Sequence, residues 1–102
     1  MNSALNGLDT WLNCEERLTR MHPLFFGNLA IKHPGLGTKE IRICTLTLLG
    51  CTANEISVVL GIDPQSVYRS RSRLWHKLGI EGPEFLLPYL HELANDSDIG
   101  GG

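Results

Sequence analysis

The run Thr52-Ala53-Asn54-Glu55-Ile56-Ser57-Val58-Val59-Leu60-Gly61-Ile62-Asp63-Pro64-Gln65-Ser66-Val67 decides the fold, because it carries the start, the stop and the restart of a helix in one short stretch. In a Thr-x-x-Glu capping box, hydroxyl and carboxylate each satisfy one of the N–H groups that a helix leaves unpaired at its start, so Thr52 to Glu55 opens a helix with Ile56, Val59 and Leu60 inside. Gly61 closes it. Asp63 is then a strong N-cap. Pro64, whose missing N–H would be unpaired at the first helical position anyway, starts a second helix to about Leu78. A short helix, a tight turn and a longer helix stand in sequence.

Working outward, the segment from about Thr38 to Leu49 places Ile41, Cys44, Thr45 and Leu48 on one side of a helix and Ile43 and Leu46 on another. A helix apolar on two sides has to be central, and Gly50 ends it. Farther back, Asp9 reads as the N-cap of a helix carrying Trp11, Leu12, Leu18 and Met21. Pro23 separates that helix from a short aromatic one with Leu24, Phe25, Phe26, Leu29 and Ile31, closed by His33, Pro34 and Gly35. Downstream, Pro83 to Leu93 is strongly apolar for a terminal helix, and Pro88 obliges it to kink or to start at that proline. Its apolar surface either meets a second copy or folds back on Trp11 and Phe25. No alternating run makes a strand. The expectation is an all-α fold: a core of three to four helices, a helical extension over 9–33 and a closing helix over 83–94. Residues 1–8 and 95–102, poor in apolar side chains, are expected to be flexible.

The 102 residues suffice for one domain with one modest core. No stretch approaches the roughly 20 continuous apolar residues of a membrane-spanning helix, and the start lacks the basic-then-apolar pattern of a signal peptide, so a cytoplasmic protein with no membrane contact is expected. Cys14, Cys44 and Cys51 read as reduced, packed thiols. They show no metal-ligand spacing with His22, His33, His76 or His91. No phosphate-cradling glycine loop, nucleophile elbow or paired carboxylates appear. Neither an enzyme, a metal nor a cofactor is expected.

The formal net charge of -2 argues at first against a nucleic-acid partner. Its distribution reverses the inference: Arg69, Arg71, Arg73 and Lys77 fall in one segment, while the charges from Glu81 onward are acidic. At 100° per residue, Val67, Leu74 and Leu78 form the core stripe of that helix. The opposite face collects Gln65, Tyr68, Arg69, Ser72, Arg73 and His76, which carry the donors that base edges and phosphates accept. Arg71 lies nearer the core stripe and is expected to form a partly buried ion pair with Glu40.

Leu36 to Ile41, Leu48 to Ile56, Leu60 to Val67 and Arg73 to Ile80 together resemble a LuxR-type (GerE-like) helix-turn-helix, over residues 36–80. The resemblance implies the DNA-reading domain of a transcriptional regulator, binding double-stranded DNA with a recognition helix, about 64–78, in the major groove. Gln65, Arg69 and Arg73 would then face the DNA, with Ser66, Tyr68 and Ser72 beside them. Lys77, Lys39 and the helix N-terminus at Thr52 would contact phosphates. Ser66 has a local alternative, as part of the helix cap, and Tyr68 has one in stacking on a neighbouring helix. Tyr68 stands where the family often has lysine. Trp75 and His76 stand where basic-ended relatives have arginine or lysine, and Trp75 is expected to pack on the C-terminal segment. The resemblance also implies a homodimer through the C-terminal helix. The rival expectation is a helix-turn-helix-like protein interaction module that has lost DNA binding.

Overall fold

The computed structural model describes residues 7–101. Every regular element in that span is helical, so the all-α expectation holds: α1 (Gly7–Met21), α2 (Phe25–Lys32), α3 (Thr38–Leu48), α4 (Ala53–Leu60), α5 (Pro64–Leu78), a 3-10 turn (Pro83–Phe85), α6 (Leu86–Ala94) and α7 (Asp98–Gly101). Helix α3 is the centre. Ile43, Cys44, Thr45, Leu46, Thr47 and Leu48 are buried in succession, so neighbours cover every side of its second half. Helices α1, α4, α5 and α6 all pack on it.

Three helices stop in the same way. After α3, α4 and α5 come Gly50, Gly61 and Gly79, all at positive φ. The next residue, Cys51, Ile62 or Ile80, returns its N–H to a carbonyl in the helix's last turn, Leu46, Ser57 or Trp75. These are Schellman closures, and glycine takes the left-handed conformation they require without a Cβ clash. Cys51, Ile62 and Ile80 then pack against the core, which fixes where the chain leaves each helix. Between α4 and α5 this leaves a tight corner: Gly61, Ile62 and the N-cap Asp63, whose carboxylate accepts the Ser66 N–H at 3.0 Å. The capping box that opens α4 is complete, with Glu55 N–H on Thr52 Oγ1 and Thr52 N–H on Glu55 Oε1.

Helices α1 and α2 cover the core with Trp11, Leu18, Phe25 and Leu29. The Arg42 guanidinium lies 4.9 Å from the Trp11 ring centroid, a cation-π contact that ties α3 to α1. Helix α6 buries Leu86, Leu90 and Leu93 against α2 and α3, so the apolar C-terminal surface folds back onto the helix that carries Phe25. Pro88 does not start α6, which runs from Leu86 to Ala94 as one element. It sits in the first turn, where its missing N–H has no partner to lose.

Two further expectations change. Helix α1 already includes Gly7, so Asp9 lies within it, not ahead of it as a cap. Leu12 and Met21 of α1 are exposed. The segment 95–102 contributes a short helix, Asp98–Gly101, packed on α2, because Ile99 is apolar enough to join the edge of the core. Residues 1–6 and 102 of the two expected flexible ends lie outside the described residues.

Asn28 closes this side of the molecule. It is 3% exposed, and its Nδ2 donates to the Leu93 carbonyl in the last turn of α6 and to the Asp96 carbonyl just beyond it, both at 2.8 Å. Asn28→Ala removes both bonds from a buried site, so a loss of about 1–3 kcal/mol in chemical denaturation is expected. Faster hydrogen exchange should be confined to α6 and the segment after it.

Candidate nucleic-acid interface

Helix α5 owes its two faces to its spacing. Val67, Ser70, Leu74 and Leu78 are buried against the core. On the other side Gln65, Tyr68, Arg69, Ser72, Arg73 and His76 are all exposed, on successive turns. Tyr68 is 57% exposed, and no aromatic stack fixes its ring among the described residues. Arg69 donates to Ser66 Oγ at 3.3 Å, and Arg73 Nε–H points at the Arg69 carbonyl. The ion pairs among the described residues are Arg20–Glu16 and Lys77–Glu40, so neither Arg69 nor Arg73 is tied to a carboxylate.

The remaining sequence-predicted residues divide. Lys39, in the first turn of α3, lines one groove of about 520 Å³ together with Arg73 and Lys77. That groove gathers three cations from two helices beside the exposed face of α5. Lys77 is partly engaged already: its ammonium contacts both Glu40 carboxylate oxygens, at 3.1 and 2.9 Å. Thr52 uses both its hydroxyl and its N–H on Glu55, which also sets a carboxylate at the N-terminus of α4 where a phosphate was expected. Ser66 is half-buried, with its N–H on the Asp63 cap and its hydroxyl on Arg69.

The ion pair expected between Arg71 and Glu40 does not form. Glu40 turns to Lys77, one further turn and a half along α5, and to its own helix start, where it accepts the Gly37 N–H at 2.9 Å. Arg71 donates instead to Thr47 Oγ1 at 3.1 Å and the Cys51 carbonyl at 3.4 Å, so it braces the end of α3 and the turn that follows. Trp75 is half-buried and stacks on His76, with ring centroids 3.7 Å apart. Arg42, which the sequence pattern did not single out, lines a neighbouring groove with Lys39.

Partial burial alone pushes the Glu40 carboxyl up, but the Gly37 N–H, the Lys77 ammonium and Arg73 outweigh it and hold the group below its ordinary value. The thiol of Cys44 is pushed by burial, and then by Glu40, up to about 12, so it stays protonated. Among the described residues no helix is long and apolar enough to cross a membrane, and no three His, Cys, Asp or Glu side chains gather to hold a metal ion. The chain matches no family model, no curated protein and no solved structure.

A carboxylate whose pKa is lowered by folding stabilises the fold above its unfolded value and loses that contribution as pH falls through the lower, folded one. Glu40→Gln is therefore expected to destabilise the protein at neutral pH by about 1 kcal/mol. The gap from wild type should close as pH falls below the ordinary value of 4.5, because both chains then carry a neutral side chain there. Denaturant midpoints across that range are the check.

Proposed function

We propose that this chain binds double-stranded DNA as the reading head of a transcriptional regulator, with α5 in the major groove. The carrying observation is the exposed stripe Gln65, Arg69, Ser72 and Arg73, whose two arginines have no carboxylate partner within ion-pair distance among the described residues. Such a stripe on the second helix of a rigid two-helix corner supplies side chains that reach base edges and phosphates. The LuxR-type resemblance of residues 36–80 supports the same assignment. A cytoplasmic, non-catalytic protein goes with it.

In this reading the arginines and Gln65 approach the groove, and Tyr68 and Ser72 lie along its edge. Lys39, with Arg73 and the free part of Lys77, meets the flanking phosphates. The internal pairing of Lys77 and Thr52 lowers the number of phosphates neutralised, so the salt dependence is shallower than the count of cations implies. With Leu86, Leu90 and Leu93 buried, the C-terminal helix has Phe85 and Leu87 left to offer a second copy. The isolated chain is accordingly read as a monomer on one half-site.

Fluorescence anisotropy of a labelled mixed-sequence duplex, titrated at several salt concentrations, tests this. Affinity should fall with salt, and the Arg69→Ala, Arg73→Ala double variant should bind at least about tenfold more weakly with a salt slope smaller by about 2. Its denaturation midpoint should match the wild type, since both side chains are exposed. Absence of binding by the folded wild type at low salt would overturn the proposal in favour of a protein interaction module.

A further inference from the structure

Arg71 is an uncompensated cation. Its hydrogen-bond partners are two neutral oxygens, Thr47 Oγ1 and the Cys51 carbonyl, and its Nε is buried with no acceptor. Burial lowers its pKa, with Tyr68 and then Cys51 acting in the opposite direction. A guanidinium withdrawn from water gains most from a carboxylate, because a planar anion matches its paired donors. Neither ion pair among the described residues supplies one.

The same residue lines a cleft of about 480 Å³ between α5 and the Pro83–Leu87 segment, a volume suited to a small molecule. Opposite Arg71 the lining is apolar, from Pro83, Leu86 and Leu87, and Leu87 remains 40% exposed. Glu84 also lines the cleft but is folded back over Gly82: its Oε1 lies 2.6 Å from where a Cβ on that glycine would stand. It pairs with no cation among the described residues. Cation at one side, apolar surface at the other and no internal counter-ion together define the complement of an amphipathic acid.

We propose that this cleft binds a small amphipathic carboxylate, an aromatic or medium-chain acid. Its carboxylate meets Arg71 Nη1, because the Thr47 hydroxyl and the Cys51 carbonyl both accept from Nη2, and its apolar body lies against Pro83 and Leu87. Tyr68 and Ser72 of α5 flank the same cleft, so the occupant touches the helix assigned to DNA. The site itself does not depend on that assignment.

Amide NMR shifts of the whole chain, titrated with naphthoate and octanoate and with their neutral amides, test the proposal without DNA. Saturable shifts are expected at Cys51, Ser72, Glu84 and Leu87, with the neutral amides binding at least about tenfold more weakly. Leu87→Asp, at an exposed position, should abolish the shifts while the protein stays folded. Arg71→Met should bring the acids down to the affinity of the amides. If that variant does not fold, Leu87→Asp decides. No saturable shift up to about 10 mM, or equal binding of acid and amide, would overturn the proposal. So would shifts of the same residues with protein concentration alone, which would give the cleft to a second copy of the chain.

Discussion

The second half of α3 has no solvent side, and the rest of the molecule is arranged to make that tolerable. A helix buried all round must satisfy its polar side chains internally. Thr45 turns its hydroxyl back onto the Ile41 carbonyl at 2.8 Å, and Thr47 accepts from Arg71. Cys44 stays a neutral thiol. The apolar remainder, Ile43, Leu46 and Leu48, requires neighbours on several sides, and α1, α4, α5 and α6 provide them. Helix α5 can present a polar face outward because Val67, Leu74 and Leu78 hold its other face to this centre.

The two faces of α5 serve different chemistry. Toward α3 its cations are drawn inward: Lys77 shares Glu40 with the Gly37 N–H, and Arg71 braces the end of α3. Away from the core, Arg69 and Arg73 contact neutral oxygens of their own helix and, among the described residues, form no ion pair. A chain of net charge -2 can still present a locally positive surface on this helix, because α5 itself carries no aspartate or glutamate.

Features set by residues a few positions apart were legible in the sequence: the Thr52 and Glu55 box, the Gly61 stop, the Asp63 cap and the inward stripe of α5. The exposed stripe that carries the candidate interface follows from the same periodicity. Partners set by the angle between helices were not. Glu40 and Lys77 are 37 residues apart, and a turn and a half along α5 decides whether Glu40 meets Arg71 or Lys77. Asn28 looks in the sequence like a surface residue of an amphipathic helix, and its buried role emerges only once α6 ends beside it. Leu12 and Met21 are exposed because helical spacing gives the angle between side chains but not which arc a partner will cover.

The bonds from Asn28 to the end of α6 join segments from opposite ends of the chain, 65 and 68 residues apart. The segments before α3 and after α5 therefore make a single clasp around the three helices between them. Trimming the chain to its three central helices would not yield a smaller version of the same domain. Without α1 and α6, α3 would gain the wet side that its composition forbids.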